Sequence, residues 1–362
     1  MKEKGIFFKC GDWRLEREIG RGAYGAVYIA SDLQGNRAAV KICLRDEIGE
    51  DSYERELRGA KLYSSIPPSL GLVRMRELRE EEWGFCAVMD LADDEFNSSS
   101  IEAYRARNLA RVIDGEKALS LNEAIKLGIN LAKGLVVLQR HHFLHRDIKP
   151  ANVIYVKGKP VLSDPGLVVE ESQAATLVGT PGYIPPEKFT SAGSDVYSLG
   201  LTLKAASFGR KIEDLAKGPA HEADTSSSFF PMWWKILNKA TDSTPARRYQ
   251  SAKALLKDLT LLRYKIAVAS ILGLRFVKFV IGLIAFGLVV LLVFNFMRQG
   301  EVSKDVSRQN QKIETLNEFK IGWDVHTNNM VRRAKEDAQR LKGNAMKRIE
   351  ELKLELNRSL KR

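Results

Sequence analysis

The sequence predicts an α+β domain followed by one long apolar helix and a helical tail. Three observations carry this. A glycine-rich segment, Ile19 to Tyr28, lies among strand-like runs and is followed by an apolar strand around Lys41 and a helix-like stretch from Ser52 to Tyr63. The run from Phe279 to Met297 carries no charge, and at 1.5 Å per residue it would cover about 28 Å, close to the roughly 30 Å hydrocarbon layer of a bilayer. Towards the end of the chain, Ala334, Ala338, Leu341, Ala345, Ile349, Leu352, Leu356 and Leu360 form an apolar stripe with the 11-residue period of a long, nearly straight helix.

A formal net charge of +12 over 362 residues points to anionic partners. The Lys and Arg residues are spread along the chain, so no nucleic acid is expected. The cysteines, Cys10, Cys43 and Cys86, form no C-x-x-C pair. An odd, scattered set predicts reduced, packed thiols in a cytosolic domain. The N-terminal stretch has no apolar core of the length a secretory signal needs, so the first domain is expected in the cytosol.

For 279–297, the alternative to a membrane span is a buried core helix. That would need a large surrounding domain, and only a polar tail follows. Arg263, Lys265, Arg275 and Lys278 crowd the N-terminal flank, while Arg298, Lys304 and Arg308 are spread over the other. The asymmetry predicts a single pass through the inner membrane, N-terminus in and tail out. The tail stripe predicts either pairing of two tails in a homodimer or one amphipathic helix lying on a membrane or partner.

The chemistry-bearing motifs come in a fixed order. Gly20, Gly22 and Gly25, followed by Val27, make a G-x-G-x-x-G-x-V segment whose backbone N–H groups can approach a polyphosphate. A dinucleotide site would need a helix after the glycines. Here Val27 to Ala30 reads as a second strand, which favours a hairpin lid. In Ala38–Cys43 a lysine, Lys41, interrupts an apolar strand and suits a phosphate partner held by an acid. Glu54 and Glu56 are the nearby candidates; Glu56 is preferred because Leu57 and Ala60 share its packed face. His145-Arg146-Asp147-Ile148-Lys149-Pro150-Ala151-Asn152 is the strongest motif. Asp147 can accept a hydroxyl proton, Lys149 can neutralise a phosphate in transfer, and Asn152 can hold a metal. Asp164-Pro165-Gly166 follows a strand and offers a second hard oxygen ligand, suited to Mg²⁺.

With Gly179 to Glu187, Ser194 to Gly200 and Arg248, this set resembles the protein-kinase signature, in particular the eukaryotic-like Ser/Thr kinases of bacteria tethered by one membrane helix. The resemblance covers residues 13–264. It implies a bilobal fold, with a small β-rich lobe and a helical lobe. A basic juxtamembrane segment (265–278), a transmembrane helix (279–297) and an extracytoplasmic helical tail (298–362) would follow.

It also implies ATP with Mg²⁺ or Mn²⁺ as cofactors and proteins bearing Ser or Thr as substrates. Gly20, Gly22 and Gly25 would cover the phosphates, and Lys41 would hold them and pair with Glu56. Val27, Ala39, Met89, Asp90 and Ala92 would line the adenine site, the last two through hinge backbone. Asp147 would be the base, with Lys149 and Thr180 marking the Ser/Thr branch, and Asn152 and Asp164 the metal ligands. Asp195 would brace the catalytic loop, and Glu187 would pair with Arg248. Thr176, then Ser172, are the expected phosphorylation sites, read by Arg146. Pro165 replaces a usual large apolar residue, and Pro185 the usual alanine. The alternative, a catalytically silent scaffold, has no need of Lys41, Asp147, Asn152 and Asp164 together, and all four are present. The stretch from Asp93 to Ser120 carries no legible motif.

Overall fold

The computed structural model describes residues 9–98, 100–114, 118–173, 179–187, 190–217, 225–271 and 283–292, with separate positions between 327 and 354. The chain divides into two units between Arg263 and Tyr264.

The first unit opens with β1 (Lys9–Cys10), β2 (Trp13–Gly22), β3 (Gly25–Ser31), β4 (Arg37–Leu44), the short α1 (Arg45–Ile48), α2 (Glu50–Ser64), β5 (Met75–Glu81) and β6 (Gly84–Met89). The strands form one antiparallel sheet in the order β1-β2-β3-β4-β6-β5. Side chains alternate across a strand, and β4 and β6 show it. Ala38, Val40, Ile42, Cys86 and Val88 pack together on one face, while Cys43 and Phe85 pack on the other against Tyr53, Leu57 and Ala60 of α2. The same alternation turns Ala39, Lys41, Ala87 and Met89 towards the α2 side.

Cys10 and Cys86 are joined in a disulfide, with Cα atoms 6.1 Å apart, and only Cys43 is a free, buried thiol. This corrects the expectation of three reduced thiols. The partners lie 76 residues apart in sequence, and they meet because β1 folds back onto β2 and brings Cys10 into the apolar cluster that already holds Cys86. Burial pushes the Cys43 thiol up to about 12, so it stays protonated.

The second lobe holds α3 (Leu109–Val112), α4 (Leu121–Arg140), β7 (Phe143–Leu144), β8 (Val153–Val156), β9 (Lys159–Leu162), β10 (Val169–Glu170), α5 (Ala192–Phe208), α6 (Phe230–Ala240) and α7 (Ala252–Ile271). Helix α4 begins in a capping box, Ser120 with Glu123. It buries Leu127, Leu131, Leu135 and Leu138, the heptad-like face expected of a core helix. Helix α5 stops at Gly209, whose φ of 62° is the left-handed cap glycine tolerates. A β-rich lobe followed by a helical one is the architecture expected.

In the second unit, residues 283–292 are helical and every one is exposed. Among the described residues no helix is long and apolar enough to cross a membrane. The rest of the 279–297 run lies outside them, so the expected transmembrane helix has no support from the fold. Of the tail stripe only Leu341 is described, helical and exposed; its other members also lie outside the described residues.

Candidate active site

The site forms where the two lobes face each other. Strands β2 and β3 are closed by Gly22 and Gly25 around a turn at Ala23 and Tyr24. Gly25 has φ of 145°, and a Cβ there would lie 2.2 Å from the Ile42 carbonyl oxygen, so only glycine lets the hairpin lie on β4. Gly20 and Gly22 meet no such crowding, and a Cβ on Gly20 would meet nothing within 4 Å.

Lys41 Nζ lies 2.9 Å from Glu56 Oε2 and 2.9 Å from Asp164 Oδ1. Burial alone would lower the lysine, but the Asp164 and Glu56 carboxylates outweigh it and hold Lys41 well above its ordinary value. Burial raises Glu56 even though Lys41 opposes it. Asp164 is held low because the lysine outweighs burial. Glu54, the acid passed over, is an exposed residue 3.9 Å from Arg45.

Pro165 opens a one-turn 3-10 helix, Pro165–Leu167, at a first position where a missing N–H costs nothing. Beside it, a Cβ on Gly166 would fall 1.9 Å from Glu56 Oε2. Gly166 is thus the residue that lets this turn seat against the α2 carboxylate.

Below, β8 and β9 form a hairpin whose open end carries Asn152 and Asp164 on its two arms. Register pairs Val153 with Leu162, and Ser163 N–H donates to the Asn152 carbonyl at 2.8 Å. The Asn152 side-chain amide donates to Asp147 Oδ2 at 2.7 Å and to the Asp147 carbonyl at 2.9 Å. Its nitrogen is thereby committed, and its oxygen remains as an acceptor. Asp164 keeps 44% of its side-chain surface open.

Asp147 also accepts from the Thr180 hydroxyl at 2.6 Å and lies 2.9 Å from Lys149 Nζ, which in turn donates to Thr180 Oγ1 at 2.7 Å. Asp195, in the first turn of α5, accepts from His145 N–H at 2.8 Å and from Arg146 N–H at 2.9 Å. Two backbone donors thus fix the loop from below. Glu187 and Arg248 form a bidentate pair at 2.8 and 2.9 Å.

At the hinge, Met89 is buried beside Ala39 in the register of β4 and β6. Asp90 N–H donates to the Arg74 carbonyl at 3.0 Å, and the Ala92 carbonyl accepts from the Tyr104 hydroxyl at 2.9 Å. Val27 is half-buried on β3.

Ser172 is exposed in a 3-10 turn, and Thr176 lies outside the described residues. Arg146 Nε donates to the Leu167 carbonyl at 2.8 Å. Burial lowers the Arg146 guanidinium, and the Arg55 charge adds to that against Asp195. Arg55 of α2 sits 4.8 Å over the Tyr24 ring, and its Nε and Nη2, shielded from water, have no hydrogen-bond partner among the described residues. Arg55 had no signal in the sequence, because one arginine on a charged helix face reads as solvated.

Residues 13–265 match the family model described as protein kinase domain. The chain is 29% identical over 211 residues to the serine/threonine-protein kinase PknA of Corynebacterium glutamicum, covering 55% of this chain and 44% of that protein. It is 28% identical over 211 residues to PknK of Mycobacterium tuberculosis, covering 56% and 18%, and 26% identical over 282 residues to PknA of Nostoc, covering 69% and 47%. It therefore spans less than half the length of these curated relatives. A matched segment that holds the glycine hairpin, the Lys41–Glu56–Asp164 triad and the Asp147 loop leaves one assignment: the chain belongs to the protein kinase domain family.

Proposed function

We propose that the chain is a membrane-anchored Ser/Thr protein kinase that moves the γ-phosphoryl group of ATP onto Ser or Thr hydroxyls of proteins. The observation that carries this reading is the Asp147 carboxylate, held by Asn152 and Lys149 of its own loop and by Thr180 of a later segment, in the same cleft as the Lys41–Asp164 pair. In this reading Lys41, poised by Glu56, holds the α- and β-phosphates beneath Gly20, Gly22 and Gly25. Asp147 orients the substrate hydroxyl and takes its proton as the oxygen bonds to the γ-phosphorus and the bond to the β-phosphate oxygen breaks, releasing ADP. Lys149 offsets charge on the group in transfer.

The Asn152 amide oxygen and the partly open Asp164 carboxylate are hard oxygen donors that fit Mg²⁺ or Mn²⁺. When bound, the metal neutralises phosphate charge. Thr180, which bridges Asp147 and Lys149, supports the Ser/Thr branch. The test is transfer of label from ATP with Mg²⁺ by the purified full chain onto a Ser/Thr protein such as myelin basic protein, followed by phosphoamino-acid analysis. Phosphoserine or phosphothreonine is expected, and phosphotyrosine alone would overturn the class.

Mapping the same sample tests regulation. The unpaired Arg55 nitrogens beside Arg146 support an anion there, and phosphate on Thr176, or on Ser172, is expected to supply it. Label that nowhere includes residues 167–177 would remove this part of the proposal.

Membrane anchoring is supported by the sequence, in the length and lack of charge of the run 279–297. With the kinase domain in the cytoplasm, one span would put 298–362 on the opposite side, where the apolar stripe could pair two chains. The expected result is sedimentation of the full chain with membranes resistant to carbonate, and protection of the tail from protease in inside-out vesicles, whose lumen encloses the face opposite the cytoplasm. A chain that carbonate releases is not anchored this way.

A further inference from the structure

Arg17 lies three residues before the first glycine of the β2–β3 hairpin and reaches across the cleft to the other lobe. Its Nη1 donates to the Glu102 carbonyl, and its Nη2 to the Tyr104 carbonyl at 2.5 Å. These partners are 85 and 87 residues away in sequence. They belong to the segment after the hinge, 93–108, in which the sequence shows no motif.

That segment is built to hold those carbonyls still. Asp93 is tied down by its carboxylate, which accepts from Lys157 N–H and Gly158 N–H, both at 2.7 Å. Its backbone N–H donates to the Tyr155 carbonyl at 2.6 Å. The Asp94 carboxylate accepts from Ser98 N–H at 2.5 Å and Arg105 N–H at 2.8 Å, folding the segment back on itself. Buried Tyr104 fastens it to the hinge through the Ala92 carbonyl at 2.9 Å. The segment is a strap anchored at both ends.

On the opposite side, β2 carries register shifts between Leu15 and Arg17 and between Glu18 and Gly20. Bulges re-aim side chains, and this pair brackets Arg17. A planar guanidinium with paired donors is suited to two adjacent carbonyls. Its hydrogen-bond partners are backbone carbonyls, so the contact depends on the placement of the strap, and the Arg17 charge also acts on the nearby Glu102 carboxylate.

We propose that Arg17 is a positioning residue for the kinase reaction. Its bond to the strap closes the mouth of the cleft beside the hinge and sets the glycine hairpin over the nucleotide, so release of nucleotide requires the bond to open. This rests on the reading that the cleft binds ATP. Glu102 and Tyr104 meet Arg17 through their carbonyls, while the Tyr104 hydroxyl holds the strap to the hinge.

The experiment is stopped-flow binding of a fluorescent N-methylanthraniloyl-ADP with Mg²⁺ to the full chain, beside thermal unfolding. For Arg17→Ala, dissociation should be about tenfold faster, with association changed much less, as expected when one charge-assisted contact that must break on exit is lost. Arg17→Lys, which keeps the charge but places its donors on a single nitrogen, should fall between. Tyr104→Phe, which frees the strap from the Ala92 carbonyl but leaves Arg17 intact, should shift dissociation in the same direction by less. A wild-type chain that binds no nucleotide overturns the kinase reading and the latch with it. A wild-type chain that binds, beside an Arg17→Ala chain with unaltered dissociation, overturns the latch alone. Equal loss in association, dissociation and unfolding midpoint, unrescued by lysine, would make Arg17 a merely structural residue and also overturns it.

Discussion

Asp147→Asn is expected to lower turnover by about 10² or more, the scale of a lost general base, while nucleotide affinity stays near that of the parent. The structure makes the reason specific. One carboxylate oxygen accepts from Thr180, and the other accepts from Asn152 and lies against Lys149. An amide in its place has one acceptor and one donor, so one of those two sets must face an N–H. The group that receives the substrate proton is lost, and the arrangement of Asn152 and Lys149 is disturbed with it. Lys41, Glu56 and the glycine hairpin are untouched, which is why ATP affinity should persist. Rates from labelled ATP, paired with equilibrium nucleotide binding, separate the two quantities. Phosphorylation by the Asp147→Asn chain at the parental rate would remove Asp147 from the chemistry.

The catalytic loop was legible because its groups are contiguous: residues 145–152 carry acid, base and amide within a few peptide bonds, and no tertiary knowledge is needed to see them as one set. Lys41 was legible for a different reason. A charge inside a strand whose alternate residues are buried must have a partner, and the apolar face of α2 singled out Glu56. The hairpin lid followed from a strand, not a helix, after the glycines.

What was not legible are contacts between elements far apart in sequence whose residue types carry no signal by themselves. Cys10 and Cys86 looked like isolated thiols because nothing local says that β1 doubles back onto β2 and into the cluster around Cys86. Nothing in the sequence sets Arg17 apart from the other charged residues of its strand, and the 93–108 strap, stitched mainly by backbone and carboxylate bonds, has no apolar period to read. In the sequence Pro165 marks a departure, standing where a large apolar residue is usual. In the fold Pro165 is the first residue of a 3-10 turn, and the tight requirement falls on the neighbouring Gly166 under Glu56.

The other large effect expected is on stability, at Arg248. Its side chain is 1% exposed and that of Glu187 7%. Besides the bidentate pair, Arg248 Nε donates to the Asp242 carbonyl at 2.9 Å, and the guanidinium lies 4.6 Å over the Tyr197 ring. Arg248→Met keeps much of the volume but leaves the Glu187 carboxylate buried without a partner. Breaking a buried pair from one side costs about 3–5 kcal/mol, which for a domain of this size lowers the unfolding midpoint by roughly 10 °C. Removing the charge from both sides is a different perturbation. In Glu187→Gln with Arg248→Met no uncompensated charge remains, so the double variant should recover part of the loss. Activity should fall in the single variant beyond what unfolding explains, because Glu187 closes the segment that begins at Thr180, and Thr180 holds Asp147. Thermal unfolding of the two single variants and the double variant, with activity measured well below each midpoint, decides it. A double variant no more stable than Arg248→Met would show that the unpaired carboxylate is not the source of the loss.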